Sequence, residues 1–237
     1  MAAFAVSKKE KLLAGSILKK HEIFAKRHES RKLSFAQLTA ILTKEEYAFI
    51  ERIVKVDSRA FGVTHPRHGI SSVPKNLVPL RGQKYRAEKE KRIIPLQFLP
   101  KKVHTAYQKL NQAMQKDMGR RVLVSSGYRS PAYQAIVFIR NLSEHKWNFK
   151  KVVSEVAIPG YSEHGAPAQQ ALDFLTIDGA PSESRKLSFE KTPEYAWLLK
   201  RAKEFGFHLS YPKNNKKGII FEPWHWSFRG APTRAAK

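Results

Sequence analysis

Three short segments hold residue types that together could run hydrolysis on a metal. They are Ser126-Gly127-Tyr128-Arg129-Ser130, then Ser162-Glu163-His164 followed by Ala171-Leu172-Asp173, and Glu222-Pro223-Trp224-His225-Trp226 near the end of the chain. Between them they supply two histidines, two candidate carboxylates and one arginine. A catalytic zinc site uses three protein ligands, keeps a fourth position for water and needs a nearby carboxylate as general base, so this inventory suffices for one. With no cysteine anywhere, thiolate metal sites, disulfides and cysteine nucleophiles are excluded, and any metal must sit on histidine, carboxylate or water.

In this order the segments resemble the zinc D-alanyl-D-alanine carboxypeptidases of the VanY type, within a wider group that includes lysostaphin-like peptidases and the hedgehog fold. The family pattern reads Ser-Gly-Tyr-Arg-Ser, then Ser-x-His-x-x-Gly-x-Ala-x-Asp, then Glu-x-Trp-His-Trp. The matching blocks span roughly residues 100–230, and the first hundred residues carry no such resemblance. The resemblance implies that His164, Asp173 and His225 hold one Zn2+ ion and that Glu222 is the general base for a metal-activated water. It gives Arg129 the substrate's carboxylate or developing oxyanion, a task suited to a planar, bidentate fork. Tyr128, Gln134 and Ser162 match positions that line the site as supporting polar groups. The implied reaction is cleavage of a peptide bond next to D-alanine in the peptidoglycan stem, as a D,D-carboxypeptidase or an endopeptidase.

Two features of the chain depart from that pattern or strain it. The family's aspartate follows the first histidine by seven positions with glycine at the third, whereas His164 and Asp173 are nine apart and the glycine is Gly165. Ala166, Pro167 and Ala168 are small enough for a bulging loop, so Asp173 is kept as ligand, with Asp178 as the alternative. The longer turn bears on substrate preference more than on metal binding. Glu222 and His225, three apart, would face opposite sides of a regular strand. Pro223 cannot donate to a sheet ladder and is expected to supply the kink that brings them together.

Other candidates are weaker. His65-Pro66-Arg67-His68 has no adjacent carboxylate, and its proline prevents a shared helical face. Lone histidines such as His104, His145 and His208 read as surface or core residues, and no His-Glu-x-x-His motif exists. Ser143-Glu144-His145-Lys146 and Ser188-Phe189-Glu190-Lys191 both fit the Ser-x-x-Lys of serine-dependent wall enzymes. Neither has the companion Ser-Asp-Asn, and Lys191-Thr192 is followed by Pro193 instead of glycine. Arg129 also has a purely structural reading, as a strand-end cap or a partner of Glu163. Trp224 and Trp226 are expected to pack beneath the site while His225 points out.

Forty-four lysines and arginines against 20 acidic residues leave a net charge of +24. The excess is even, 21 basic against 9 acidic side chains in residues 1–100 and 23 against 11 in 101–237. No concentrated basic arm stands apart, and the doublets Lys19-Lys20, Lys101-Lys102, Lys150-Lys151 and Lys216-Lys217 read as solvated faces. Such charge fits diffuse attraction to an anionic cell-wall polymer, and no specific nucleic-acid partner is expected. The rival functions are a catalytically inactive, zinc-containing wall-binding protein and a basic nucleic-acid-binding protein. No run of eighteen apolar residues is present, so a membrane-spanning helix is not expected. Lys8, Lys9 and Lys11 precede the apolar stretch Leu12–Leu18, but Lys19 and Lys20 follow it and no Ala-x-Ala site appears, so an amphipathic helix is read there instead of a signal. The substrate class places the expected location in the periplasm or cell wall.

The elements that must position these groups divide into a helical accessory region (1–60), an irregular connecting stretch (61–100) and a zinc peptidase domain (101–237). Helical spacing covers Leu12 to Phe24, a segment opened by Ser34, and one opened by the capping box Thr43/Glu46. Repeated prolines and glycines dominate 61–100. Thereafter the pattern predicts a helix through Val103 and Met114 to Gly119, a strand Arg121–Ser125, a helix after Pro131, a strand Ala171–Ile177, a helix Pro193–Phe205, a strand Phe207–Tyr211 and one or two closing strands within Gly218–Phe228. The fold class is α+β, a small antiparallel sheet with flanking helices preceded by a helical N-terminal region.

Overall fold

Reciprocal capping boxes start all three N-terminal helices. Ser7 and Glu10 open α1 (Lys8–Ala25), Ser34 and Gln37 open α2 (Phe35–Ile41), and Thr43 and Glu46 open α3 (Lys44–Val54). In each, the N-cap hydroxyl accepts from the third helical N–H while the side chain there accepts from the N-cap amide, so two otherwise orphaned donors are satisfied. The computed structural model describes residues 4–64, 66–87, 90–166, 168–180 and 189–230. His65, Pro167 and Ser188 lie outside the described residues, so the His65 pair, part of the proposed bulging loop and the second Ser-x-x-Lys nucleophile fall there.

Residues 61–100 depart from expectation. Four short strands occupy them: β1 (Leu77–Leu80), β2 (Lys84–Ala87), β3 (Glu90–Ile93) and β4 (Gln97–Pro100), pairing as the antiparallel ladders β1–β4 and β2–β3. The prolines that argued against regular structure sit where strands tolerate them: Pro79 on a two-stranded ladder, Pro95 between strands and Pro100 at a strand end. Then come α4 (Lys101–Met118), closed by Gly119 at φ +67°, β5 (Val122–Ser126), α5 (Pro131–Glu144), α6 (Phe149–Glu155), β6 (Ala171–Thr176), α7 (Pro193–Arg201), β7 (Phe207–Leu209) and β8 (His225–Phe228). Helix α6 was not anticipated. The helix expected over Pro193–Phe205 turns 3₁₀ at Ala202, and the closing strand covers only its last four residues.

Two compact units result. One comprises Met1–Val73, Arg129–Pro167 and Lys213–Ile220; the other comprises Pro74–Tyr128, Ala168–Pro212 and Phe221–Lys237. These units cut across the boundaries read at residues 60 and 100. The first is all-helical, its core built from Ile17, Phe49, Ile50 and Ile53 against Ile136, Phe138, Ile139 and Leu142, all essentially buried. The second carries the four-stranded antiparallel sheet, order β5-β6-β8-β7. One face of that sheet buries Val122, Val124, Leu172, Phe174, Phe207 and Trp226 together with Leu110 and Met114 of α4. Side chains alternate across a strand, so Asp173 and His225 lie on the opposite face, which also carries a smaller buried cluster of Leu123, Leu175 and Ile94.

Candidate active site

Asp173 and His225 are brought side by side by sheet register. They are directly paired residues on β6 and β8, and His225 Nδ1 lies 3.0 Å from Asp173 Oδ1. Their neighbours Leu172 and Trp226, also directly paired, point into the core, and Trp226 Nε1 donates to the Pro223 carbonyl at 2.9 Å. The indole therefore anchors the strand from below while the imidazole faces the other way, as its sequence context implied. A bulge between Val124 and Ser126 shifts the β5–β6 register so that Ser126 pairs with Asp173, and Ser125 Oγ donates to the Asp173 carbonyl at 3.0 Å.

Glu222 reaches the same place by leaving the strand. Glu222-Pro223-Trp224-His225 forms a turn in which the His225 N–H donates to the Glu222 carbonyl at 3.1 Å, with proline at the second turn position where its fixed φ fits. The strand begins only at His225, so the alternation that would separate the two side chains never applies. Glu222 Oε2 lies 3.6 Å from His225 Nδ1. Two backbone bonds hold the turn: the Glu222 N–H to the Tyr211 carbonyl and the Phe174 N–H to the Trp224 carbonyl. Tyr211 also packs its ring, tilted by 39°, 4.9 Å from that of His225, a contact no short motif announces.

His164 sits in a short 3₁₀ turn, Glu163–Gly165, capped by Ser162, whose hydroxyl accepts from the His164 N–H at 3.3 Å. The Arg129 N–H donates to the His164 carbonyl at 3.1 Å. Glycine is required beside it: a Cβ on Gly165 would lie 2.7 Å from the Arg129 carbonyl oxygen. The first motif has the same logic, since a Cβ on Gly127 would lie 2.5 Å from the Phe98 carbonyl oxygen, to which the Tyr128 N–H donates at 2.7 Å. Two of the three segments thus spend a glycine on close backbone contact.

His164, Asp173 and His225 each offer one ligand atom, and these atoms lie within 4.8 Å of one another. They are the one such histidine and carboxylate group among the described residues. The donor set is all nitrogen and oxygen, as zinc in a catalytic site accepts. Ligands bound at 2.0–2.2 Å in a tetrahedral set stand about 3.3 Å apart, and the Asp173–His225 separation of 3.0 Å fits. Asp178, the alternative ligand, instead approaches Arg120 at 3.5 Å. His145 pairs with Glu155 at 3.1 Å, and neither His104 nor His208 belongs to the cluster.

The supporting polar residues are placed as follows. Arg129 is half-buried, its Nε is enclosed without a hydrogen-bond partner, and among the described residues it makes no ion pair, with Glu163 or otherwise. Tyr128 is buried with its hydroxyl unpartnered, and burial pushes that hydroxyl up to about 12, so it stays a donor at neutral pH. Gln134, in the first turn of α5, donates to the Ala157 carbonyl at 2.7 Å and keeps a buried, unpartnered Oε1.

An α+β chain with a clustered His-Asp-His set beside a glutamate offers the groups that a metal-dependent hydrolase requires. The family model for VanY, D-alanyl-D-alanine carboxypeptidase, matches residues 96–231, and the chain belongs to that family. It is 30% identical over 116 residues to a D-alanyl-D-alanine carboxypeptidase of Enterococcus faecium, covering 48% of this chain and 31% of that protein. It is 26% identical over 147 residues to the bifunctional D-Ala-D-Ala dipeptidase and D-Ala-D-Ala carboxypeptidase VanXYC of Enterococcus gallinarum, covering 57% of this chain and 69% of the relative. Among solved structures, the LdcB LD-carboxypeptidase superposes with a TM-score of 0.53 at 28% identity, over 67% of this chain and 70% of that one. The chain thus spans under a third of the length of the Enterococcus faecium relative.

Proposed function

We propose that this protein is a zinc metallopeptidase that hydrolyses a peptide bond next to D-alanine in peptidoglycan stem peptides, as a D,D-carboxypeptidase or endopeptidase. The observation that carries the reading is the convergence of His164, Asp173 and His225 within 4.8 Å, with Glu222 Oε2 3.6 Å from the His225 ring. Those three side chains would hold the ion, which when bound lowers the pKa of water toward about 7 and polarises a carbonyl.

Glu222 takes the proton from the attacking water and returns it to the departing amine, a carboxylate's role in general acid–base catalysis. Arg129, with no ion pair of its own among the described residues, holds the substrate's terminal carboxylate. The Tyr128 hydroxyl is a further donor to that substrate. Ser162 acts one step back, by fixing the turn that carries His164. Residues 101–237 form the catalytic part in this reading, and the helices of 1–60 an accessory part.

The net charge of +24 draws the enzyme to an anionic wall polymer by diffuse attraction, which weakens as salt screens it over a Debye length of about 8 Å in physiological salt. Its place of work is the cell wall or periplasm, and no described helix is long and apolar enough to cross a membrane. The test is digestion of purified peptidoglycan with muropeptide mass spectrometry. Wild type is expected to release D-alanine or cut stems, while Glu222→Ala keeps stoichiometric zinc and loses turnover by about 10²–10⁴-fold. Equal turnover by both forms would remove Glu222 from the mechanism.

A further inference from the structure

Strand β5 is the outer strand of its sheet, so one of its edges has no neighbouring strand among the described residues. Two side-chain amides close it. Asn111 accepts from the Val122 N–H and donates to the Val122 carbonyl, both at 2.9 Å, and Gln83 does the same for Val124 at 2.9 and 3.0 Å. Beside this edge lies a groove of about 680 Å³ between β5, α4 and the Leu80–Gln83 segment. Its floor is Tyr107 and Leu123, only 8% and 4% exposed, so it offers little to an apolar ligand.

The groove's wall is chemically uniform. Gln108, Gln112 and Gln115 follow at helical spacing along α4 and line the groove, and their side-chain amides make no hydrogen bond among the described residues. Arg81 and Arg121 flank them, exposed and without ion pairs among the described residues. No carboxylate and no lysine lines the groove, in a chain with 44 basic residues. Each amide presents a donor beside an acceptor, which matches hydroxyl and acetamido groups, and each guanidinium takes a carboxylate. A polynucleotide needs a cation for most phosphates it lays down, which two arginines do not supply.

We propose that this groove binds the glycan strand of the wall polymer, a chain of hydroxylated, acetamido-bearing sugars with intermittent carboxylates. The assignment rests on the wall-hydrolase reading above and adds a site to it. Strand β5 links the two: Leu123 lines the groove, and Ser126, three extended residues or about 10 Å further along the strand, pairs with Asp173. A polymer seated along the groove would present a stem peptide to the candidate site.

The experiment measures equilibrium binding of the full chain to glycan strands stripped of their stem peptides, beside hydrolysis of a soluble stem pentapeptide. Gln112→Ala combined with Gln115→Ala is expected to weaken glycan binding about tenfold or more while pentapeptide turnover is unchanged. Both positions are exposed on a helix that alanine favours, so the fold is preserved, and thermal melting checks it. Lys216→Gln with Lys217→Gln, which alters charge elsewhere, is expected to leave glycan binding intact. The proposal is overturned by wild type failing to bind stripped glycan, by the amide variant binding as wild type does, or by the two lysine substitutions weakening binding equally. Loss of pentapeptide hydrolysis with glycan binding preserved would strike the peptidase reading alone.

Discussion

Replacing Gly165 by alanine probes how tightly the His164 turn is held. The added Cβ would start 2.7 Å from the Arg129 carbonyl oxygen, with Pro131 Cδ at 3.7 Å and the Arg129 carbonyl carbon at 3.9 Å behind it. Ordinary contact begins at 3.4 Å, so the turn and the Arg129 backbone must separate by about 0.7 Å. Neither neighbouring group is a flexible side-chain end, and the bond from the Arg129 N–H to the His164 carbonyl opposes the separation. Metal–ligand distances tolerate about 0.2 Å, so a shift of this size in the segment carrying His164 should weaken zinc about 10–100-fold, the range for disturbed ligand support. Stability should fall by about 1–3 kcal/mol, as for other overpacked sites. Competition against a chromogenic chelator reads the affinity, and thermal melting of the zinc-free protein reads the stability. Zinc affinity equal to wild type in a folded Gly165→Ala protein would refute the claim that this contact positions the ligand.

Chelation should abolish hydrolysis of a stem pentapeptide, and added zinc should restore it, with activity tracking bound metal by elemental analysis. Phe174→Ala removes a fully buried ring beneath the site-bearing strand and should cost about 3–5 kcal/mol in urea unfolding, with a cavity left against Tyr107 and Phe207. Glu46 gives an acid limb to stability. Burial raises its carboxyl, but hydrogen bonds from Lys20, Ser16 and the Thr43 amide, with the Lys20 charge, outweigh that and bring it from 4.5 to about 2. Its folded value is depressed, so its contribution of about 3 kcal/mol is complete above pH 4.5 and lost as pH falls through about 2. Glu46→Gln should therefore lose that stability at neutral pH and flatten the melting-temperature profile between those limits.

The fold was readable where local signals act alone. Caps at Ser34 and Thr43 and the glycine stop at Gly119 mark helix ends through hydrogen bonds made within a few residues, and the structure keeps them. Strands of four residues in 77–100 left no such mark, because each draws its stability from a partner up to twenty-three positions away, as Leu77 does from Pro100. Helix α6 was missed because Phe149, Val152 and Val153 give only one apolar turn, which becomes a helix when that turn packs into the core of the N-terminal helices. Asn111 and Gln83 carried no sequence signal at all, since an amide closing a strand edge is recognisable only once the edge exists.

The site was more legible than the fold because its residues are held by contacts that demand particular types. Glycine at 127 and 165 is set by carbonyl oxygens 2.5 and 2.7 Å from where a Cβ would stand, and Trp226 by its bond to the Pro223 carbonyl. What motif spacing could not convey was how Glu222 and His225 meet. Strand alternation placed them on opposite faces, and a kinked strand would have been one remedy. The turn at Pro223 is a different one: Glu222 is tied to Tyr211 and the strand starts afresh at His225, so the glutamate is placed by loop anchorage and the histidine by sheet register. The two groups therefore rest on separable supports. If Glu222 is the base and the pair a metal site as proposed, weakening the turn should displace Glu222 and leave the Asp173–His225 pair able to hold zinc, a division that a zinc-replete but slow enzyme would reveal.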